Sequence, residues 1–339
     1  MTVIVRKGDQ QPWEGAAEVR RIAPTLRPLR LAWEQTGLPR ALPIGTSVLH
    51  SPHYSTPRHR APGIRSIATV HDLSFFTHPE AHSAVKRHFF RRAIAAAAVG
   101  ADAIICISQT TEDELRGAVS VRVPVRVIPH GVDHLLFRPD PPTPDHDALV
   151  LSRLGIRSPF VLHHGAIEPR KNIAALVAAF EHVVSSRGHG DLALVLAGRA
   201  WPGMSVPEPS RGEMHRLGFV PDGVAAALMR RAAVVAYPSM AEGFGLPVLE
   251  ALACGAPVVT TGGTVMAEVA GRAATYVVGG RAADGHRDET FVSALADALL
   301  GVLEGDGPSV ELRLSQAQGF TWEASAAAHA SLYRAVAGG

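Results

Sequence analysis

Two groups of residues in the second half of this 339-residue chain have types and spacing that could do chemistry. Arg170 and Lys171 are adjacent in VLHHGAIEPRKNIAALVAAF, residues 161–180. An apolar run ends at Gly165, a short loop holds the two cations, and a helical pattern begins at Asn172. Asn is a good helix N-cap and a helix N-terminus carries partial positive charge. Two cations beside such a terminus make a diphosphate site. Taken alone, the same loop also fits a solvated basic turn. The second group lies in YPSMAEGFGLPVLEALACGAPVVTT, residues 237–261. Glu242 sits in a loop after an apolar run, and Glu250 follows just over two helical turns later. Both carboxylates can therefore face one crevice. One suits the hydroxyls of a sugar and the other those of a ribose. Gly243 and Gly245 let backbone N–H groups approach a ligand closely. Two glutamates alone fit a helix cap and a surface residue equally well. The Gly-Phe-Gly between them and the Arg-Lys loop upstream favour a shared site.

Short apolar, β-branched runs alternate with helix-like segments and must position these groups. Strands are expected at Val3–Arg6, Ser47–His50, Ser66–Val70, Ala103–Ile107 and Val125–Ile128. A second series is expected at Pro159–His163, Leu192–Ala197, Arg216–Val220, Ala233–Tyr237, Ala256–Thr260 and Ala274–Val278. Short continuous strands separated by helices imply parallel sheets covered on both faces, and two series imply two doubly wound α/β domains. Glu242 then falls at the C-terminal end of its strand, where open α/β sheets bind ligands. The stretch FRPDPPTPDHD, Phe137 to Asp147, is too proline-rich to continue a sheet or helix and reads as the linker. The expected domains are residues 1–140 and 148–320, with a last helix over 321–339 packing back on the first.

Composition removes other classes. Hydrophobic residues are 47% of the chain, enough for two buried cores, and a net charge of +2 without a dominant charge block predicts no nucleic-acid partner. Cys106 and Cys254 lie in apolar runs and read as buried free thiols, which fits a reducing, cytoplasmic compartment. No signal-peptide pattern opens the chain, and no apolar run reaches the roughly 18 residues of a membrane span. The histidines are scattered. His163-His164 and the pair His50/His53 lack Cys or carboxylate partners at ligand spacing, so no metal is expected.

The segments GAIEPRKN and PSMAEGFGLPVLEALACGAPVV together resemble retaining glycosyltransferase family four, of GT-B fold. The family's donor signature is two glutamates with seven residues between, which Glu242 and Glu250 match. The resemblance runs from roughly Leu31 to the C-terminus and is specific in the second half. It implies two Rossmann-like domains facing across a cleft, with the nucleotide sugar bound mainly by the second. By this resemblance Arg170 and Lys171 neutralise the leaving diphosphate, and Gly165 lets the backbone pass the phosphates. Glu242 holds donor-sugar hydroxyls and Glu250 the ribose. The amides of Gly243, Phe244, Gly245 and Leu246 contact sugar and phosphate. Gly218, Phe219 and Val220 offer backbone groups to the base. The EPRKN form looks like mannosyltransferases, so GDP-mannose is the first donor candidate, with UDP-sugars, dTDP-rhamnose and ADP-sugars open. The acceptor is a glycan, a lipid-linked glycan or a small metabolite, and no cofactor is implied beyond the donor substrate.

In the first half, SIATVHDLSFFTHPE, residues 66–80, places His71 and Asp72 at the C-terminal end of a strand. The resemblance implies that His71 lines the donor sugar; the bland reading is a histidine satisfied by backbone. Asp72 is either an acceptor-side residue or an Asx-turn residue, and Ser108 fits an N-cap beside the cleft. IPHGVD, residues 128–133, resembles the family's interdomain turn, with His130 where asparagine is usual. Family members open with a strand and a glycine-rich loop. Here MTVIVRKGDQ resembles the second strand, so the start is misassigned, truncated, or lacks a strand. Residues 84–100, AVKRHFFRRAIAAAAVG, mix Lys86, Arg87, Arg91 and Arg92 with Phe89, Phe90 and Ile94. They form either a packed helix with cations facing solvent or a weak peripheral contact with the inner face of a membrane.

Rival readings remain. A nucleotide-sugar epimerase shares the fold but usually needs further carboxylates in the first domain. A non-catalytic sugar-nucleotide-binding subunit would fit the short start. A dehydrogenase is disfavoured because no G-x-G-x-x-G follows a strand.

Overall fold

The computed structural model describes residues 1–338 apart from 12, 14, 60–61, 80–81, 158, 187 and 280–287. The chain divides into two compact units. The first comprises Met1–Ile107, Glu112–Ile128 and Ala328–Gly339, and the second comprises Ser108–Thr111 and Pro129–Ala327.

In the first unit, β1 (Thr2–Arg6) and β2 (Glu18–Ala23) pair in parallel as a two-stranded sheet, followed by helices α1 (Arg27–Thr36) and α2 (Leu38–Ala41). Strands β3 (Val48–Ser51), β4 (Arg65–Val70), β5 (Ala103–Cys106) and β6 (Val125–Val127) form a four-stranded parallel sheet in that order. Val3–Arg6 therefore belongs to a sheet of its own and is not hydrogen-bonded into the four-stranded one. Its partner β2 has the sequence EVRRIA, whose charged residues stay at the surface, so no apolar run marks it.

Helix α3 (Ser74–Thr77) and helix α4 (Ala84–Gly100) follow β4, and α5 (Gln109–Ala118) follows β5. The α4 stripe Phe90, Ile94, Ala97 and Ala98 is buried, at the spacing of one helical face. Lys86, His88 and Arg92 are exposed. Arg91 donates through Nε to the Phe75 carbonyl at 2.7 Å and lies over the Phe76 ring. The apolar face of α4 is thus spent on its own core, and Lys86 and Arg92, the latter 3.2 Å from the His88 ring nitrogen, face outward. His50 Nδ1 lies 2.6 Å from the Tyr333 hydroxyl and its Nε2 2.8 Å from the Thr69 hydroxyl. Burial, with His329 and His71 nearby, pulls its pKa down to about 4. It is a neutral imidazole at physiological pH.

The second unit holds α6 (His146–Arg153), β7 (Phe160–His164), α7 (Ile173–Ser185), β8 (Ala193–Ala197), β9 (Glu213–Gly218), α8 (Asp222–Arg231), β10 (Val234–Tyr237), α9 (Leu246–Ala253), β11 (Val258–Thr261), α10 (Val265–Ala270), β12 (Thr275–Val277), α11 (Glu289–Leu303) and α12 (Val310–Gln318). The last helix, α13 (Trp322–Gly338), begins in this unit. The six strands are parallel, in the order β12-β11-β10-β7-β8-β9. Leu176, Phe180 and Val183 of α7 and Leu295 and Leu299 of α11 pack with Leu194 and Leu196 in its main core. The strand expected at Arg216–Val220 is β9, which ends at Gly218. That glycine has φ 65°, a left-handed conformation that stops the strand and that glycine adopts without strain.

The proline-rich stretch Phe137–Asp147 lies inside the second unit. It makes no strand, but Phe137 is buried, and Asp147 in α6 takes a bidentate pair from Arg230 of α8, both bonds 2.7 Å. Both cysteines are free and buried, their thiols pushed up to about 12 chiefly by burial. Among the described residues, no helix is long and apolar enough to cross a membrane.

Candidate active site

Strand order fixes where the site forms. β7 and β10 are neighbours, but the connection from β7 leads outward to β8 and that from β10 leads the other way to β11. Such a switch point leaves a crevice at the strands' C-terminal ends. The loop after β7 carries Gly165, Arg170 and Lys171, and the loop after β10 carries Glu242 to Gly245. The two loops are zipped together: the Met240 amide donates to the Arg170 carbonyl at 2.8 Å, and Arg170 Nη1 donates to the Ala241 carbonyl at 2.8 Å.

Local backbone places the side chains. Pro169–Lys171 form a single 3-10 turn, and Asn172 takes a left-handed conformation (φ 55°, ψ 40°) before α7. Asparagine stands where the N-cap was expected, but its side chain makes no capping bond; the residue is used for its tolerance of positive φ. Gly165 has φ 134°. A Cβ on Gly198, after β8, would lie 1.7 Å from the Gly165 carbonyl oxygen, so only glycine permits β8 to run this close to the loop after β7.

The expected cations and the first glutamate meet directly. Arg170 Nη1 donates to Glu242 Oε2 at 2.8 Å, and Lys171 Nζ donates to Glu242 Oε1. Arg170 Nε also pairs with Glu168 Oε1 at 2.6 Å, and Lys171 Nζ reaches the Tyr237 hydroxyl. Two cations and two carboxylates thus form a closed cluster. Lys171 is 6% exposed at its side chain, whereas Arg170 is 28% exposed. Burial alone would raise the Glu242 pKa, but Lys171 and Arg170 outweigh it and hold the carboxyl below its ordinary range. Burial pulls Lys171 down against the opposing pull of Glu242, and for Arg170 the two carboxylates overcome burial and push it up. Burial drives the Tyr237 phenol well up. The His163 ring stacks on Tyr237 at 5.4 Å and 12°, and burial takes its pKa down to about 3.

The cluster leaves donors over. A guanidinium has five N–H groups and an ammonium three. Among the described residues, Arg170 Nη2 has no hydrogen-bond partner, and Lys171 uses its ammonium on Tyr237 and Glu242. Beside them, α9 starts at Leu246 after Gly245 (φ 93°), with a proline in its first turn. The amides of Gly243, Phe244, Gly245 and Leu246 donate no hydrogen bond among the described residues. Unpaired amides at a helix N-terminus are an anion-binding arrangement.

The remaining candidates fall elsewhere. Glu250 is not part of the ion cluster; its Oε2 lies 3.9 Å from His164 Nδ1. Burial pushes its carboxyl up to about 7, with Asp222 adding to the rise. Phe219 projects at 70% exposure beyond β9, and Val220 is buried. The Phe244 ring is buried against His130 (centroids 5.1 Å) and Phe320 (5.9 Å), so only its backbone is open to a ligand. Ser108 is the capping residue: its Oγ accepts from the Thr111 amide at 3.0 Å and donates to the Gly243 carbonyl at 3.0 Å. In the first unit, His71 Nε2 lies 2.7 Å from the Pro52 carbonyl. Asp72 forms an Asx turn, accepting from the Ser74 amide at 2.9 Å and from the Tyr54 hydroxyl at 2.9 Å. Sequence reasoning missed Glu168, Tyr237, His164 and Gly198 as site builders. Glu168 and Tyr237 stood inside the quoted motifs; Glu168 pairs with Arg170 two positions on, but the Tyr237 contact with Lys171 spans 66 positions and leaves no local mark.

Comparison with known proteins agrees with this architecture. A family model described as Glycosyltransferase Family 4 matches residues 1–134, and one described as Glycosyl transferases group 1 matches 158–304. An O-antigen chain mannosyltransferase B of Escherichia coli is 29% identical over 81% of this chain and 71% of its own length. A D-inositol 3-phosphate glycosyltransferase of Actinosynnema mirum is 32% identical over 66% of this chain; the chain spans 55% of that enzyme's length. The sucrose-phosphate synthase structure from Thermosynechococcus elongatus superposes with TM-score 0.73 at 21% identity, over 99% of this chain and 88% of that one. With two parallel α/β units and a glycosyltransferase model matched to each half, the chain carries the domains of a glycosyltransferase of GT-B fold.

Proposed function

We propose that this protein is a retaining glycosyltransferase that moves a sugar, with mannose the first candidate, from a nucleotide diphosphate to a glycan, lipid-linked or small-molecule acceptor. The observation that carries this reading is the row of unpaired amides at Gly243–Leu246 beside the Arg170–Lys171 cations. Mannose is favoured by the EPRKN loop and by the mannosyltransferase for which the E. coli relative is named. The second unit takes the donor and the first the acceptor. As the anomeric bond breaks, charge collects on the leaving diphosphate. Arg170 Nη2, the Lys171 ammonium and the α9 amides stabilise it in place. Glu242 holds both cations in register and keeps an oxygen edge toward the sugar hydroxyls. The outward cations of α4, Lys86 and Arg92, are the surface an anionic membrane would meet.

The test is calorimetric titration of GDP, UDP and ADP and of their sugars. Arg170→Ala and Lys171→Ala are each expected to weaken the best nucleoside diphosphate by about tenfold to a hundredfold, the loss of one charged hydrogen-bond donor. Unchanged affinity in both variants would remove the cations from the site. Transfer from GDP-mannose, followed by the anomeric configuration of the product, checks the sugar and the retention.

Glu250 makes a pH prediction. Its carboxyl, raised to about 7, is protonated in mildly acidic solution and cannot accept ribose hydroxyls fully there. Nucleotide affinity is expected to rise with pH through about 7 and level off beyond it. Stability runs the opposite way. The folded form holds a proton that the unfolded chain has already lost, so this group's stabilisation is complete below the ordinary carboxyl range and is lost as pH climbs to about 7. Affinity flat from pH 6 to 8 would take Glu250 out of the ribose site.

A further inference from the structure

His164 closes β7 immediately before Gly165, on the strand that presents the phosphate loop. Its Nδ1 is buried and makes no hydrogen bond among the described residues. The facing atom is Glu250 Oε2 at 3.9 Å, and both side chains are 18% exposed. That gap is about 1 Å too long for a hydrogen bond. A buried donor left unsatisfied is costly, so this one calls for a partner.

We propose that His164 is a positioning residue for Glu250: with nucleotide bound, the ionised Glu250 carboxylate closes onto His164 Nδ1–H, which fixes one oxygen and leaves the other to accept the ribose hydroxyls. The inference rests on the ribose role assigned to Glu250 above. His164 does not touch the nucleotide through Nδ1, which solvent cannot reach. It acts through the carboxylate, as an imidazole orienting its partner.

Charge around the pair suits this. Burial holds His164 below its ordinary pKa, so it is a neutral N–H donor at physiological pH. The elements packed against α9 bring Asp222, Arg230 and Arg231 from α8, Glu268 from α10, and Glu311 and Arg313 from α12. Of these, Asp222 is the one that acts on the Glu250 carboxyl, and it disfavours ionisation. A donor is needed on the other side of Glu250 for the carboxylate to form, and His164 is placed to supply it. The one bond broken on closure is the Glu250 O–H, whose proton passes to solvent water.

The experiment titrates wild type, His164→Phe, His164→Asn and Glu250→Gln with whichever of GDP, UDP and ADP binds wild type most tightly, and with its 2′,3′-dideoxy form, at pH 8 and pH 5.5. At pH 8, His164→Phe is expected to weaken the ribonucleotide about tenfold, one lost hydrogen bond to a charged group. At pH 5.5, where Glu250 is protonated, and with the dideoxy nucleotide at either pH, it is expected to behave as wild type. His164→Asn retains an N–H donor in the same place and is expected to restore most of the affinity. A residue that merely packs would give a loss independent of pH and of the ribose hydroxyls. That pattern, or no loss at all in His164→Phe, overturns the proposal. If Glu250→Gln leaves discrimination against the dideoxy form intact, the ribose reading of Glu250 fails as well. Loss in Glu250→Gln with none in His164→Phe defeats only the positioning role.

Discussion

Replacing Glu242 by alanine is expected to cut turnover by about 10²- to 10³-fold, the range for removing one preorganised electrostatic group from a transition state. Glu242 accepts from both cations, so its loss is not confined to the sugar. Lys171 would remain buried with no carboxylate against it, and the cheapest relief is loss of its proton. The cation at the diphosphate would then be gone. Stripping one member from a buried ion cluster also costs about 3–5 kcal/mol of folding stability. A distinctive response follows: a nucleoside diphosphate supplies the missing negative charge, so it is expected to raise the melting temperature of Glu242→Ala by more than it raises that of wild type. Glu242→Gln keeps the volume and one acceptor, and is expected to fall between. Wild-type turnover in Glu242→Ala, or equal ligand-induced shifts in the two proteins, would refute this account.

Arg230→Ala is expected to be the most damaging single change away from the site. The Arg230 side chain is 4% exposed and Asp147 is 7% exposed, with two bonds of 2.7 Å between them. Removing the guanidinium leaves the buried carboxylate with only His146 Nδ1, 3.0 Å away, against it, at a cost of about 3–5 kcal/mol. The same pair fastens the proline-rich stretch to α8, so the loss falls on the whole second unit. Denaturant unfolding followed by circular dichroism measures it. The double variant Asp147→Asn, Arg230→Met removes both charges and is expected to recover much of the loss, because the pair itself contributes less than either half left alone. A loss below about 1 kcal/mol in Arg230→Ala would mean that solvent screens the pair.

The second unit was legible because its signals are local. β8 and β10 are continuous apolar runs and β7 opens as one, α7 and α9 follow turn residues, and the cations and Glu242 fall in the loops between. The parallel sheet followed from that alternation, and the crevice from the place of the loops at the strand ends. What escaped depends on residues distant in sequence or on backbone angle. β2 is a charged edge segment with no apolar run. β9 stops where Gly218 turns left-handed, two residues before the apolar pattern ends. The closing of Glu242 onto Arg170 and Lys171 is a tertiary fact. In the sequence, Glu242 stands 71 and 72 positions from the two cations with nothing local to join them. The His164 gap is visible only once β7 and α9 are side by side. In the first half, His71 and Asp72 were placed correctly at the end of β4, but residue type alone could not separate ligand contact from a backbone bond and an Asx turn.

The adjacency of β7 and β10 sets the order in which this protein acquires its activity. Arg170 and Glu242 are 72 positions apart, and the intervening chain contributes two further strands and two helices. A contact of that span carries a large entropic cost of closure and is late in assembly. During refolding, helical signal is expected to return before nucleotide can be captured. Nucleotide capture by this crevice is therefore expected to gauge complete topology, and partly folded chains, still exposing the edges of unfinished sheets, are expected to bind none.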